Sequence, residues 1–429
     1  FSAVAESLTA ARSGHTATLL PNGNVLIIGG EQASAELYLA GSSAQRTTFE
    51  NGPTMTTGRT EHTETTLNDG RVLFAGGELF SLGVTQSAEI FDEATQSFAD
   101  GGAMQVVRRR HTATLLQDGR VLLTGGSDGT TPLSSAELWS ATGSSGTFTM
   151  TAALSTAREN HTATVMADGR VLITGGTNAS GGLASAEIFD PASDAFSQPI
   201  PMLAPMSGHE ATLLRSGKVL VLGGSHAELF DPSTETFAAA ASPGTTHADV
   251  QLQTLSDGRV LAIGGDTLAG ELFDPKLETF VFTQDAAVNR VRAASALLPT
   301  GQALILGGQI EATEPPTLQS AETFDAGAGT SGGFALTQNL FAPLTGHRAT
   351  VLGSGAVLVT GGVSCTTICI DFPHAATQLF EFGNDPFRPT LSNAPTTVEA
   401  GTSATITGTR FRGPDASGGQ TKASTSNQP

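Results

Sequence analysis

The sequence predicts an all-β chain closed as an eight-bladed β-propeller. Three observations predict it: a unit that recurs every 41 to 54 residues, a Gly-Gly pair that closes each copy, and the lack of any sustained helical stripe. The clearest copies are His111-Thr-Ala-Thr-Leu-Leu-Gln-Asp-Gly-Arg-Val-Leu-Leu-Thr-Gly-Gly126 and His161-Thr-Ala-Thr-Val-Met-Ala-Asp-Gly-Arg-Val-Leu-Ile-Thr-Gly-Gly176. The second glycines of all eight copies are Gly30, Gly77, Gly126, Gly176, Gly224, Gly265, Gly308 and Gly362. Composition agrees, because 51 glycines and 14% charged residues fit many short strands and tight turns rather than amphipathic helices.

Each copy divides into four strands. His-Thr-Ala-Thr-Leu-Leu is the first, its small and β-branched residues suited to the crowded strand nearest the axis. Asp-Gly, as at Asp118-Gly119, is expected as a two-residue hairpin turn. Arg-Val-Leu-x-x-Gly-Gly is the second strand, and its unbroken apolar run is what burial on both faces requires. Ser-Ala-Glu-(Ile/Leu)-Phe-Asp, as at Ser185 to Asp190, is the third. The fourth carries one phenylalanine per copy: Phe49, Phe98, Phe148, Phe196, Phe237, Phe280 and Phe334. Phe1 precedes Arg12 by nearly the interval that separates Phe49 from Arg59, so the N-terminal segment is expected to be the missing outer strand of the eighth blade. Such a closure joins first and last repeats by strand pairing and leaves no open edge in the ring. Copies six and seven are the weakest and the most expected to leave it.

These motifs resemble kelch repeats, and Arg-x-x-His-Thr-Ala-Thr-Leu-Leu-x-Asp-Gly-Arg-Val resembles the propellers of bacterial kelch proteins and of the galactose oxidase family. The resemblance covers residues 1–387. Residues 388–429, beginning Arg388-Pro-Thr-Leu-Ser, resemble the start of the immunoglobulin-like module that follows such propellers, or form a linker; a full sandwich needs ~100 residues. In galactose oxidase one copy of Arg-x-x-His carries a tyrosine just before the histidine, and that pair helps bind copper. Here the corresponding residues are Gly14, Glu61, Arg110, Asn160, Gly208 and Gly346, and Tyr38 is the only tyrosine in the chain. The resemblance therefore implies the fold without the copper-radical chemistry.

Charge narrows the partners. Forty acidic residues against 21 basic ones give a formal net charge of -19, which repels nucleic acid and anionic membrane surfaces. No apolar run is long enough to span a bilayer and no charged-then-apolar leader stands at Phe1, so a soluble chain with any export signal already removed is expected. The only cysteines, Cys365 and Cys369, stand four positions apart in one long loop. A small disulfide loop is preferred over a metal site with His374, because a four-ligand zinc site still lacks a group. An extracellular, cell-surface or periplasmic location follows. The sequons at Asn160 and Asn178 carry little weight.

The repeated polar residues divide into those with a structural duty and those without. His15, His62, His111, His161, His209 and His347 hold one place in six repeats, while Val250 and Ala293 interrupt the series. A shared hydrogen-bonding task explains six copies better than one metal site does. Arg12, Arg59, Arg108, Arg158 and Arg290 at the repeat heads, and Glu36, Glu89, Glu137, Glu187, Glu228, Glu271 and Glu322 in third strands, are expected as buried pairs tying strands together. Gln378 and Leu344 replace both partners in the eighth copy, as pairing requires. Acids spread around a ring do not converge on one glycosidic bond.

Binding is expected at one rim. Turns between first and second strands, and between third and fourth, are uniform; loops between second and third strands are not. The variable loops are residues 78–86, 127–134, 177–184, 309–319 and 363–375, and the residues expected to contact a partner are Glu78, Phe80, Asp128, Thr131, Asn178, Gln309, Glu311, Glu314, Asp371 and His374. The expected function is a non-catalytic scaffold that binds a protein or carbohydrate partner, with no catalytic residues, no metal and no cofactor. A structural subunit of a larger assembly and a carbohydrate-active enzyme using the axial channel are the alternatives.

Overall fold

The computed structural model of the chain describes residues 2–3, 7–39, 48–79, 82–247, 249–264, 268–310, 317–329, 331–364, 372–373, 375, 377–380, 390–393 and 407–409. It is an eight-bladed propeller with no helix among the described residues, and so none long and apolar enough to cross a membrane. Blades I to VIII take their inner strands from His15–Leu19, Thr63–Thr66, Thr112–Leu115, Thr162–Val165, Glu210–Leu213, Gln251–Thr254, Ala294–Leu297 and Arg348–Val351. Blades VI and VII stay in the ring as complete four-stranded sheets.

Blade III shows the pattern. Thr112–Leu115, Val121–Thr124, Ala136–Thr142 and Ser145–Met150 pair antiparallel in chain order. Its second strand is buried along its whole length, and the period of two divides it between neighbours. Val121 and Leu123 pack with Leu73 and Ile90 of blade II, whereas Leu122 packs with Val171 and Phe189 of blade IV. The core is therefore eight apolar clusters, one in each space between adjacent blades, the last joining Leu358 and Leu379 of blade VIII to Val25 and Tyr38 of blade I. Phenylalanines of third and fourth strands meet within blades, as Phe189 and Phe196 do with ring centroids 5.1 Å apart.

The N-terminal strand Ser2–Ala3 pairs with Leu379 and Gln378 of blade VIII, the closure expected from the repeat spacing. One expectation is corrected. The Asp-Gly turn is a three-residue loop rather than a two-residue one: Gly119 N–H donates to Leu116 O, Leu116 N–H donates to Arg120 O, and only Gly119 has positive φ, at 87°. That is a type I turn closed by a left-handed glycine, whose twist suits the hairpin. In the tail, Thr390–Asn393 pairs with Thr407–Thr409.

Candidate functional site

Each repeated histidine begins its inner strand, and its ring is buried between blades rather than open to the axis. His161 of blade IV places Nε2 3.0 Å from Thr112 Oγ1 and 3.2 Å from Thr124 Oγ1 of blade III. His111 meets Thr63, His209 meets Thr162 and Thr174, His62 meets Thr16, and His15 meets Thr360 across the closure. The glycine pair makes this possible. A Cβ on Gly125 would stand 2.8 Å from His161 Cε1, so the first glycine vacates room for the next blade's imidazole, while a Cβ on Gly126 would stand 2.8 Å from His111 Cβ of its own blade. His347 has no partner on either ring nitrogen among the described residues, because blade VII offers Ala294 and Leu306 where blade III offers threonines. Burial, aided by nearby guanidinium charge, pushes His15, His62 and His161 down to about 3; burial pushes His209 and His347 to about 4, and holds His111 well below its usual value. All six are neutral wedges between blades, and five of them hydrogen-bond to a threonine hydroxyl.

The arginines and glutamates pair as expected in five blades, as Arg108 and Glu137 do at 2.8 Å with neither exposed. Arg108 Nη1 also donates to Gly125 O and Ser135 O, which ties the head of the repeat to the glycine pair. The carboxylate has a further role. Glu137 accepts from Gln105 N–H and Val106 N–H, the segment leading into the blade, and the same contact recurs in every blade, down to Phe341 N–H on Gln378 Oε1. Blade V qualifies the pairing argument: its head position holds Met206, yet Glu228 remains buried, held by the N–H groups of Leu203 and Ala204. Anchoring the lead-in segment, more than pairing with arginine, is what the third-strand residue does in every copy, an acid in seven blades and Gln378 in the eighth.

The uniform rim holds a girdle that repeat inspection did not reveal. Arg120 in the Asp-Gly-Arg turn of blade III pairs with its own Asp118 at 2.7 Å and reaches Asp194 of blade IV at 2.8 Å. Arg170 repeats this with Glu235 of blade V, Lys218 reaches Glu278 of blade VI, and Arg71 and Arg259 donate to carbonyls of the following blades. That rim is constant because it is stapled.

The opposite rim differs. Where the chain enters each inner strand, the residue just before the repeat's first position has positive φ in all eight blades: Gly14, Glu61, Arg110, Asn160, Gly208, Asp249, Arg292 and Gly346, with φ between 45° and 66°. These residues form a ring about the axis. Arg110 N–H donates to Glu61 O and Asn160 N–H to Arg110 O, so successive members touch. All but the half-buried Glu61 are exposed. Arg110 pairs with Glu61 at 2.8 Å, and Arg292 with Asp249 at 3.3 Å. The two pairs lie four blades apart, half a turn around the ring, and glycines Gly14 and Gly208 precede them in the same relation.

The loop residues expected to bind are placed as follows. Asp128 accepts from the N–H and hydroxyl groups of Thr130 and Thr131, and so closes its own loop; those bonds hold its carboxyl far below the usual range. Asn178 accepts from Ser180 N–H. Glu78 pairs with Arg109 beside the ring, and Gln309 exchanges backbone hydrogen bonds with Val291. Phe80, Glu311, Glu314, Asp371 and His374, with the cysteines of the expected disulfide, Cys365 and Cys369, lie outside the described residues. The ring residues were visible in the sequence only as places where tyrosine is missing.

No family model matches the chain, and no curated protein matches it. Among solved structures it is similar to a fungal alcohol oxidase of the AA5 family determined in complex with copper: TM-score 0.59, 19% identity, 81% of each chain covered. It is also similar to YjhT, with TM-score 0.44, 13% identity, and 65% of this chain and 99% of that one covered. Copper does not fit the residues present here. The ring offers no tyrosine, Nε2 of five of the repeated histidines faces a threonine hydroxyl, and among the described residues no three His, Cys, Asp or Glu side chains come together to hold a metal. What the chain shares with the alcohol oxidase is the fold, a kelch-like β-propeller.

Proposed function

We propose that the protein is a non-catalytic binding module that recognises a protein or carbohydrate partner through its variable rim, with the eight-residue ring at the centre of the contact. One observation carries this reading: the backbone at the ring is the same in every blade, while the side chain changes from glycine to acid to arginine to amide. A device that only stabilises the ring repeats its residue, as the histidines and the Asp-Gly-Arg girdle do. Energies point the same way. A non-glycine residue in the left-handed region costs about 1–2 kcal/mol, and an exposed ion pair returns only about 0–1 kcal/mol. Glycine at all eight positions is the better choice for stability, and three blades have it. The other five carry charge or an amide toward solvent at the expense of the fold, which is the mark of a surface kept for contact. The spacing of Cys365 and Cys369 supports placing the protein in an oxidising compartment.

The test replaces Glu61, Arg110, Asp249 and Arg292 by glycine together. Thermal unfolding is expected to match or exceed the parent protein. Capture of the partner from the native source, or of the sugar on a glycan array, is expected to be lost. Retained capture by this variant and by loop-deletion variants, or a fall of several degrees in Tm, overturns the reading.

A further inference from the structure

Blade VI departs from the others at the head of its repeat. The position held by arginine in blades I, II, III, IV and VII is held there by His247, fully buried like them. Its ring reaches the partners that the arginines reach. Nδ1 lies 3.0 Å from Gly264 O, the counterpart of the Gly125 O that Arg108 Nη1 holds, and Nε2 lies 3.3 Å from Glu271 Oε1.

Both partners can only accept. A carbonyl has no proton to give, and Glu271 is a carboxylate that already receives N–H groups of Gly244 and Thr245. The hydroxyl of Thr245, 3.4 Å from Nε2, donates its own proton to Glu271 at 2.7 Å. A neutral imidazole carries one N–H and one lone pair, so it satisfies one side of this site and leaves the other with two acceptors face to face; only the imidazolium satisfies both. Burial pushes Glu271 up, but the hydrogen bonds from His247, Gly244 and Thr245 outweigh it and leave the carboxyl below its ordinary range, as a site holding a cation requires. The other charged or titratable groups near the ring are Asp249 on its own segment, and Arg290, Arg292 and Glu322 of blade VII, which line the crevices beside Gly264. His226 is exposed on the blade V turn, where Gly224 exchanges backbone hydrogen bonds with His247.

We propose that His247 is a proton-operated latch of blade VI: doubly protonated, it clamps the lead-in residues 244–247 between Gly264 and Glu271, and on losing a proton it releases one of the two. The five arginines keep their charge at every physiological pH, so among these head positions only the imidazole of blade VI can exchange its charge for a lone pair. Asp249, two residues on, carries the segment into the axial ring and pairs with Arg292, so the latch governs how firmly one side of that ring is held. The latch stands on its own contacts and does not depend on what the ring binds.

Amide hydrogen exchange tests it, corrected for intrinsic rates and read at Gly244, Thr245 and His247 against the matching Gln105, Val106 and Arg108 of blade III. Raising pH from about 5.5 to about 8 is expected to lower blade VI protection roughly tenfold relative to blade III, the loss of one charge-assisted hydrogen bond. His247→Arg is expected to abolish the difference, and His247→Gln to leave low protection at both pH values. Long-range ¹⁵N spectra of the unmodified protein at about pH 5.5 are expected to show both His247 nitrogens protonated. A neutral tautomer in those spectra, or blade VI protection relative to blade III that stays level or rises with pH, overturns the proposal.

Discussion

Acidification should open this propeller before its carboxylates titrate, and the six buried histidines set the size of the effect. Each stands neutral between a glycine and, in five cases, a threonine hydroxyl, and each is held well below the value of about 6.5 that it recovers in the unfolded chain. A group whose folded value is depressed adds stability that is complete above the unfolded value and lost as pH falls below it. At about pH 5 the five histidines with values near 3 or 4 are still neutral in the fold and mostly charged when unfolded. Each then forfeits about 2 kcal/mol, or about 10 kcal/mol together. A domain is typically stable by about 5–15 kcal/mol, so half that sum is decisive. The assay is thermal unfolding by circular dichroism at half-unit steps from about pH 8 to pH 4.5. A level Tm above about pH 7, followed by a steep fall before ordinary carboxylates begin to protonate near pH 4–5, is the expected curve. His161→Gln, which keeps a side-chain amide to face Thr112, should remove one proton from the slope, about 1.4 kcal/mol per pH unit. A Tm that stays level from pH 7 to pH 5, or an unchanged slope in the variant, refutes the reasoning.

Three further outcomes follow from particular contacts. Gly125→Ala puts a Cβ 2.5 Å from Arg158 O and 2.8 Å from His161 Cε1 at φ 56°, and should cost about 3 kcal/mol or more in urea unfolding. Gly224→Ala at φ 59° meets nothing within 4 Å and should cost only the backbone term of about 1–2 kcal/mol. Arg108→Met takes the guanidinium from the buried Glu137 and leaves it only the N–H groups of Gln105 and Val106, which should cost about 3–5 kcal/mol, whereas Arg120→Met on the girdle should cost about 0–1 kcal/mol by the same measurement. Disrupting the closing strand by Ala3→Pro should raise hydrogen exchange at Leu379 while leaving blades III and IV protected.

The fold was legible because each repeat states the same structure independently. His111 to Gly126 and His161 to Gly176 predict their strands without reference to each other, and the missing outer strand of blade VIII follows from counting phenylalanines. What the repeat left open is the use of side chains that act between copies. Asp118-Gly119-Arg120 reads as a turn, and the turn is there, but the partner of Arg120 is Asp194, 74 positions away in another turn. The joint change of Leu344 and Gln378 looked like a broken ion pair, while blade V keeps Glu228 opposite Met206, because the acid's constant partners are backbone N–H groups that no sequence displays.

The site was harder to read for a related reason. Small polar residues in variable loops were the natural choice for recognition, yet Asp and Asn in loops commonly bond to the backbone they stand on, as Asp128 and Asn178 do, while the Thr131 hydroxyl donates to Asp128. A side chain occupied in closing its own loop has less left to offer a partner. The better signal lies one residue before the constant histidine, where Gly14, Glu61, Arg110, Asn160, Gly208, Asp249, Arg292 and Gly346 vary between neighbours that do not. Variation at a fixed step of a repeat is informative only once the backbone there is known to be left-handed, because only then is each non-glycine residue an expense to the fold. That conformation depends on the path of the chain into the inner strand, which the residues at the position do not encode.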